Sequence, residues 1–124
     1  MSGVSVEAVT KSWGGEPAVD AVTFAAREGD LVALLGPSGC GKSTTLRLIA
    51  GLETPTAGTI RIADRDVTGA PPSKRGVSMV FQSYALFPHL TVAENIVFGL
   101  RVRKAAREDR EKRLRDAAAL LGLD

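Results

Sequence analysis

Residues 31–43 read Leu31-Val-Ala-Leu-Leu-Gly36-Pro-Ser-Gly-Cys-Gly41-Lys42-Ser43. The run begins with apolar residues, which predict a buried strand, and continues into the spacing G-x-x-x-x-G-K-S, which is typical of a loop that opens a helix. Glycines in such a loop let the backbone turn tightly and direct successive N–H groups toward an anion. The sequence therefore predicts an α/β fold built around a site for the phosphates of a nucleoside triphosphate.

Two side chains at the end of this loop carry the predicted chemistry. Lys42 can reach the outer phosphates as a point charge, and the Ser43 hydroxyl can occupy one position on a Mg²⁺ ion that bridges two phosphate groups. The helix that follows adds the positive end of its dipole, and Gly51 is its predicted left-handed C-cap. The predicted apolar stripe of this helix consists of Leu46, Ile49 and Ala50.

Composition limits what the rest of the chain can be. The 124 residues are 44% hydrophobic and carry a net charge of +2, which suits one compact unit or part of a larger one. So small a charge gives no indication of nucleic acid as a partner. A single cysteine excludes an internal disulfide, and the N-terminus lacks the basic start and apolar stretch of a secretory signal, so we expect a cytosolic compartment.

The last part of the chain is mildly basic, because residues 101–124 contain eight basic and five acidic residues. Opposite charges four residues apart predict a solvent-exposed helix face. A contact with anionic lipid or RNA is the alternative. The predicted pairs are Glu108 with Lys112, Asp109 with Arg113, and Glu111 with Arg115.

Alternating apolar residues predict two half-buried strands ahead of the glycine-rich loop. The apolar positions are Val4, Val6 and Ala8 in the first and Val22, Phe24 and Ala26 in the second. Trp13-Gly14-Gly15 lies in the turn between them. Further along, Thr59–Ile62 and a turn around Ala63–Asp66 predict another hairpin, and Val77–Phe81 predicts a buried strand.

Two helices are predicted in the last third of the chain. Thr91 and Glu94 have the spacing of a capping box, which predicts a helix over Val92–Leu100. Pro88 keeps the preceding backbone out of that helix. The second helix, Arg107–Leu121, ends at Gly122. Its predicted apolar stripe is Leu114, Ala117, Ala118 and Leu121.

Further motifs surround the glycine-rich loop. They are Trp13, Gly36–Arg47, Ile49–Glu53, Pro72, Arg75-Gly76, Met79–Leu90, Val92–Asn95 and Phe98–Leu100. Together they resemble the ATP-binding subunit of an ATP-binding-cassette (ABC) importer, with most similarity to the maltose and glycerol-phosphate type, which drives sugar or sugar-like uptake. Polyamine importers carry closely similar motifs. The resemblance implies a P-loop NTPase core with N-terminal antiparallel strands, the start of a helical subdomain, and ATP with Mg²⁺ as cofactors.

The resemblance also implies roles for individual residues. Trp13 matches the aromatic residue that stacks on adenine, with an ordinary hairpin aromatic as the alternative. Val19 matches a small apolar residue beside the base or ribose, with core packing as the alternative. Gln82 matches a glutamine that contacts magnesium or the attacking water, and it is the expected catalytic residue together with Lys42. The expected nucleotide contacts are Trp13, Val19, Gly36, Pro37, Ser38, Gly39, Cys40, Gly41, Lys42, Ser43 and Thr44, and the expected Mg²⁺ contacts are Ser43 and Gln82.

The segment Tyr84–Leu90 resembles the surface on which a coupling helix of the transmembrane permease subunit docks. Core packing is the alternative for its apolar side chains. The resemblance further implies a second ATPase subunit, an indirect link to a solute-binding protein, and a position on the cytoplasmic face of the cell membrane. His89 has no catalytic role in this pattern.

Three features of the complete family pattern do not occur before the chain ends at Asp124. They are the Leu-Ser-Gly-Gly-Gln type signature, the strand that ends in Asp-Glu, and the switch histidine. We therefore expect a truncated nucleotide-binding domain that is inactive in hydrolysis alone, with a β-rich and P-loop core over about residues 1–90 and the start of the helical subdomain over about 91–124. A different P-loop enzyme, such as a small-molecule kinase, and a non-catalytic module whose bound nucleotide regulates a partner are the alternatives.

Overall fold

The computed structural model describes residues 3–37, 39, 41–81 and 83–123. Within it the chain forms two compact units, residues 1–79 and residues 80–124. The first contains a β-sheet and one α-helix, and the second contains two α-helices. The boundary expected near residue 90 lies inside the second unit. No helix in the described ranges is both long and apolar enough to cross a bilayer.

The sheet of the first unit has four strands, all paired antiparallel, in the order β2-β1-β3-β4. The strands are β1 (Gly3–Lys11), β2 (Val19–Arg27), β3 (Ala57–Ile62) and β4 (Arg65–Asp66). Ala63 and Asp64, at φ +52° and +62°, form the two-residue turn between β3 and β4. Both predicted hairpins are therefore confirmed.

Bulges interrupt the pairing of β1 with its neighbours and change which residues it buries. The register shifts between Val6 and Val9, where Ala8 has φ +49°. Beyond this bulge the alternation reverses, so Val9 is buried and Ala8 is exposed, and the predicted inward position of Ala8 is wrong. The Thr23 hydroxyl on β2 accepts a hydrogen bond of 2.9 Å from the Ala8 N–H, which the bulge would otherwise leave unpaired.

The core of the first unit lies between the sheet and helix α1 (Lys42–Ala50). Its buried side chains are Val6, Val9, Val19, Leu48, Ile60, Ile62 and Val67. Helix α1 contributes Leu48 at 1% exposure, whereas Leu46 from the predicted stripe is 49% exposed. Of the predicted stripe, Ala50 is buried and Ile49 packs against the core, so the prediction is wrong for Leu46 alone, while Thr45 and Leu48 are the other buried residues of the helix. Gly51 ends the helix at φ +90°, which confirms the predicted left-handed cap.

Two predicted strands do not form. Residues 31–35 and 77–81 have no strand assignment, and Leu31, Leu35 and Val80 are 99%, 90% and 85% exposed. The reason is the lack of a partner, because no described strand pairs with either segment and an apolar strand is buried only by neighbours and by helices on its faces. The expectation of buried strands at these positions is wrong for the described structure.

The second unit contains α2 (Val92–Val102) and α3 (Arg107–Leu121). The predicted capping box is present: the Thr91 hydroxyl accepts from the Glu94 N–H at 3.1 Å, and the Glu94 carboxylate accepts from the Thr91 N–H at 3.0 Å. Helix α3 has the predicted bounds, with Gly122 as its left-handed cap.

The two faces of α3 differ from their predictions. Leu114, Ala117 and Ala118 are half-buried as expected, but Leu121 is 66% exposed. Among the described residues, the ion pair on this helix joins Arg107 to Glu111 at 2.9 Å instead of any of the three predicted pairs. The exposed charges nevertheless fit the predicted solvated face.

Candidate functional site

The glycine-rich loop enters α1 at a position that only glycine can occupy. Gly41, the N-cap of α1, has φ +93°. A Cβ atom at this position would lie 2.4 Å from the carbonyl oxygen of Ala18 and 3.4 Å from a methyl carbon of Val19. Both the left-handed backbone and the close approach exclude a side chain. The loop is therefore seated directly on the backbone that leads into β2.

The N-terminus of α1 is open to an anion. Gly41 has no side chain that could accept hydrogen bonds from the first amides of the helix, and the first turn contains no acidic residue. The Gly41 carbonyl accepts hydrogen bonds from the N–H of Thr45 at 2.9 Å and from its hydroxyl at 2.8 Å. Unpaired N–H groups at the positive end of a helix favour a phosphate group.

Lys42 points back over the loop that precedes it. Its ammonium group donates a hydrogen bond to the carbonyl oxygen of Gly36, the first glycine of the motif. The positive charge is therefore held across the loop that precedes α1. Ser43, the predicted magnesium contact, is exposed, and Thr44 is half-buried. Of the other predicted contacts, Pro37 and Gly39 lie in this loop, whereas Ser38 and Cys40 lie outside the described residues.

Trp13 and Val19 occupy the two ends of the loop between β1 and β2. Trp13 is 63% exposed, so its indole is available to a ligand. A turn built by Ser12 presents it: the Ser12 hydroxyl donates to the Gly15 carbonyl at 2.9 Å and accepts from the Gly14 N–H at 3.3 Å. Val19 is only 4% exposed and belongs to the core, directly behind Gly41. The structure thus gives Val19 the packing position that the sequence left open.

Arg75 is a functional candidate whose role the sequence did not indicate beyond its place in a motif. Its side chain is 2% exposed, and its guanidinium donates hydrogen bonds to backbone carbonyl oxygens at the C-terminal end of α1 and in the loop that follows β4. The acceptors are Leu48 (2.8 Å), Ile49 (3.1 Å), Thr68 (3.2 Å) and Ala70 (2.9 Å). Burial lowers the pKa of the Arg75 guanidinium below its ordinary value. A cation at this end also opposes the negative pole of the helix.

Gly51 makes room for this arginine. A Cβ atom on Gly51 would lie 2.7 Å from Nε of Arg75. The helix that carries Lys42 at its start is therefore fixed at its other end by a close glycine–arginine contact. An arginine between a proline-rich turn and an apolar run is the only sequence signal that could have indicated this role.

The predicted docking segment forms an ordered loop ahead of α2. Phe87 packs on Phe98 of α2, with ring centroids 4.5 Å apart, and meets the edge of His89 at 6.0 Å. The Asn95 side chain accepts from the Phe87 N–H at 3.0 Å. Its amide also donates to two backbone carbonyls of the segment, those of Phe87 (3.2 Å) and Leu90 (3.3 Å), and to the carbonyl of Thr91, the N-cap of α2, at 2.9 Å.

The rest of the segment is open to solvent. Tyr84 is 77% exposed and Leu86 is 71% exposed. Tyr84 and Ala85 have φ values of +65° and +50°, which direct the chain into a turn before the tethered part. Apolar side chains presented by an ordered loop are typical of a surface that binds a protein partner. Gln82, the predicted catalytic glutamine, lies outside the described residues.

The model of the family described as "ABC transporter" matches residues 19–124. The chain belongs to the ABC transporter family. This confirms the resemblance drawn from the motifs around the phosphate loop.

Solved structures agree with this ABC fold. A dimeric ATP-binding cassette in a post-hydrolysis state, bound to ADP and Pi, aligns with 98% of the chain and 58% of its own length. The two are 30% identical, and the TM-score is 0.84. A dimeric bacterial ABC transporter cassette aligns with 88% of the chain and 53% of its own length, at 30% identity and a TM-score of 0.78.

Curated relatives of this ABC transporter chain include importers of different solutes. The sn-glycerol-3-phosphate import ATP-binding protein UgpC of Salmonella typhi is 48% identical, over 100% of this chain and 35% of its own length. The spermidine/putrescine import ATP-binding protein PotA of Thermobifida fusca is 48% identical, over 97% of this chain and 32% of its own length. The alpha-glucoside transport ATP-binding protein AglK of Rhizobium meliloti is 46% identical, over 99% of this chain and 34% of its own length. The chain thus spans about a third of the length of the curated relatives it matches.

Proposed function

We propose that this chain binds ATP together with Mg²⁺ through the loop Gly36–Thr44, as the nucleotide-binding part of an ATPase subunit that energises solute import. The single observation that carries this proposal is the geometry of the loop entrance. The N-capping glycine offers the first amides of α1 no side-chain acceptor, and the Lys42 ammonium is held across the same loop by the Gly36 carbonyl. This arrangement offers amide donors and one cation to a chain of phosphates.

The residues present fit both cofactors. A triphosphate would take the free amides of α1 and attract Lys42 from its internal acceptor. A bound Mg²⁺ would neutralise phosphate charge, and the exposed Ser43 hydroxyl is the side chain of this loop that can reach it. In the proposed assignment Gln82 is a second magnesium contact and acts with Lys42 in hydrolysis by the whole subunit. Val19 supports the loop by packing behind Gly41, because its side chain is buried.

Trp13 is proposed to stack on the adenine base. Its exposure and its place on the loop that ends beneath Gly41 support this role. Aromatic stacking suits a flat base without requiring a charged contact. The base and the phosphates would then be held by two loops of the same unit.

We further propose that Tyr84–Leu90 docks on a transmembrane permease subunit at the cytoplasmic face of the membrane. The outward-facing apolar residues and the tether to Asn95 support a preformed contact surface. In the complete assembly a second ATPase subunit and, indirectly, a solute-binding protein take part. The dimeric cassettes among the solved structures support the pairing of two such subunits.

Sugar or a sugar phosphate is the proposed solute. The relatives named for glycerol phosphate and alpha-glucoside support this class. A polyamine is the second candidate, supported by the relative named for spermidine and putrescine at the same identity. Uptake by the whole transporter, measured with labelled solutes of each class, separates them.

The test of nucleotide binding is calorimetric titration of the chain with Mg-ATP, compared with Lys42→Ala. The proposal expects saturable binding that weakens at least about tenfold in the variant, because a charged contact to phosphate is lost. Lys112→Ala on the exposed face of α3 is the matched control and should bind as the wild type does. Folded protein that gives no heat with Mg-ATP, or equal binding by Lys42→Ala, contradicts the proposal.

A further inference from the structure

Lys11, at the end of β1, lies at the centre of contacts that surround Trp13. Its ammonium is 5.3 Å from the centroid of the Trp13 ring, close enough for a cation–π contact. It also donates to the Thr54 carbonyl at 2.8 Å and lies 3.8 Å from the Glu53 carboxylate. The Lys11 side chain is only 14% exposed, so this cation is held in place instead of moving freely in solvent.

A second set of contacts joins the same two loops. The Thr56 N–H donates to the Thr10 carbonyl at 2.8 Å, and the Thr56 hydroxyl accepts from the Ser12 N–H at 3.1 Å. Residues 52–56 follow directly after the C-cap of α1. The loop that presents Trp13 is therefore fastened to the chain that leaves the phosphate-loop helix, while its other end lies against Gly41 at the start of that helix.

We propose that Lys11 is a positioning residue for base recognition, which holds the Trp13 ring in the orientation that stacks on adenine. This inference rests on the proposed function and adds the residue that sets selectivity for the base over bare phosphate. The cation covers part of one ring face, and the 63% exposure of Trp13 leaves room for a base elsewhere on the ring. An indole that is already ordered loses less conformational entropy when the ligand arrives. The adjacent charge also withdraws electron density from the ring, which favours stacking with an electron-rich purine.

The test compares two ligands, Mg-ATP and Mg-tripolyphosphate, by calorimetric titration of the wild-type chain and of Lys11→Gln. Glutamine keeps a neutral N–H donor on a slightly shorter side chain but has no charge to place against the indole. The ratio of the two dissociation constants measures the contribution of the nucleoside. We expect Lys11→Gln to lower this selectivity at least about two- to fivefold, the lower range of values for a cation–π contact, with tripolyphosphate affinity unchanged.

Three further variants sharpen the result. Lys11→Arg keeps a cation over the ring and is expected to restore the selectivity. Lys112→Gln on α3 makes the same chemical change away from any ring and should have no effect. In a Trp13→Ala background, Lys11→Gln should leave the selectivity unaltered, because there is no ring left to position.

Trp13 is the only tryptophan, so its fluorescence is a direct spectroscopic check. Lys11→Gln is expected to shift the emission of the ligand-free protein, while Lys112→Gln is not. A purely structural role for Lys11 predicts a lower melting temperature with unchanged selectivity, and that result overturns the inference. Equal weakening of both ligands overturns it as well, since Lys11 would then act on phosphate.

The wild type separates this inference from the proposal on which it rests. If the wild type binds tripolyphosphate and ATP equally, the inference fails while the phosphate loop stands. If it binds neither ligand although folded, the proposed function itself fails.

Discussion

Replacement of Arg75 by methionine is expected to destabilise residues 1–79 strongly. Methionine has a similar length and fills much of the same space, so the change removes the charge and the donors while keeping most of the packing. In the wild type the buried guanidinium donates hydrogen bonds to four backbone carbonyls, two of them at the C-terminal end of α1. Without it these oxygens lose their charged donor, and the buried Leu48 oxygen keeps only the weaker Gly51 N–H at 3.3 Å.

The size of the effect follows from those four hydrogen bonds. A hydrogen bond to a charged group contributes about 1.5–3 kcal/mol to stability, but bonds made by one group do not add fully. We therefore expect a loss of about 3–5 kcal/mol, comparable to breaking a buried polar network. For a unit of this size each kcal/mol lowers the melting temperature by about 4–8 °C, so the transition should fall by at least roughly 12 °C.

The assay is thermal unfolding, followed by far-ultraviolet circular dichroism and by Trp13 fluorescence, which reports on the first unit alone. Arg47→Met is the matched control, because Arg47 is an exposed arginine in the last turn of the same helix. Arg75→Lys should fall between the two, since one ammonium cannot reach all four oxygens. A melting temperature for Arg75→Met within about 2 °C of the control would refute the reasoning, because it would mean that water satisfies the carbonyls equally well.

Three other changes have defined outcomes. Gly41→Ala is expected to abolish Mg-ATP binding in titrations, because its methyl group would meet a carbonyl 2.4 Å away, while Gly69→Ala, which has open space, should bind normally. Hydrogen bonds to Thr91 lower the pKa of Glu94 below its ordinary 4.5, so the stabilisation of α2 is full above that pH and is lost as pH falls through the lowered value. Acid titration of helical circular dichroism should show this loss in the wild type and much less of it in Glu94→Gln. Asn95→Ala removes the tether of the 84–90 segment and should speed amide hydrogen exchange there about tenfold, whereas equal protection would show that Phe87 packing alone orders the loop.

Local signals in the sequence predicted the local structure well. The capping box at Thr91, the left-handed caps Gly51 and Gly122, and the two hairpins depend on residues within a few positions of one another. Their geometry follows from backbone conformation and nearby hydrogen bonds. For the same reason the phosphate loop could be located from its spacing alone.

Burial was harder to predict because it depends on distant parts of the chain. A bulge in β1 moved the buried position from Ala8 to Val9, and periodicity cannot indicate where a bulge falls. The apolar run at residues 31–35 has the composition of a core strand, yet its burial requires pairing partners that no described strand supplies. Arg75 is a third case, since its acceptors become visible only when α1 and the loop after β4 are brought together.

In the proposed function, the contact between Lys42 and the Gly36 carbonyl makes phosphate binding an exchange reaction. The ammonium group already has an acceptor within its own loop, so an incoming nucleotide replaces an internal hydrogen bond instead of filling an empty site. The measured binding heat is therefore the difference between two contacts of the same cation. The internal contact also holds the Lys42 ammonium over its own loop in the ligand-free protein. Substitution of Lys42 removes both its contact with the Gly36 carbonyl and its contact with phosphate. The measured loss of affinity therefore understates the strength of the lysine–phosphate contact itself.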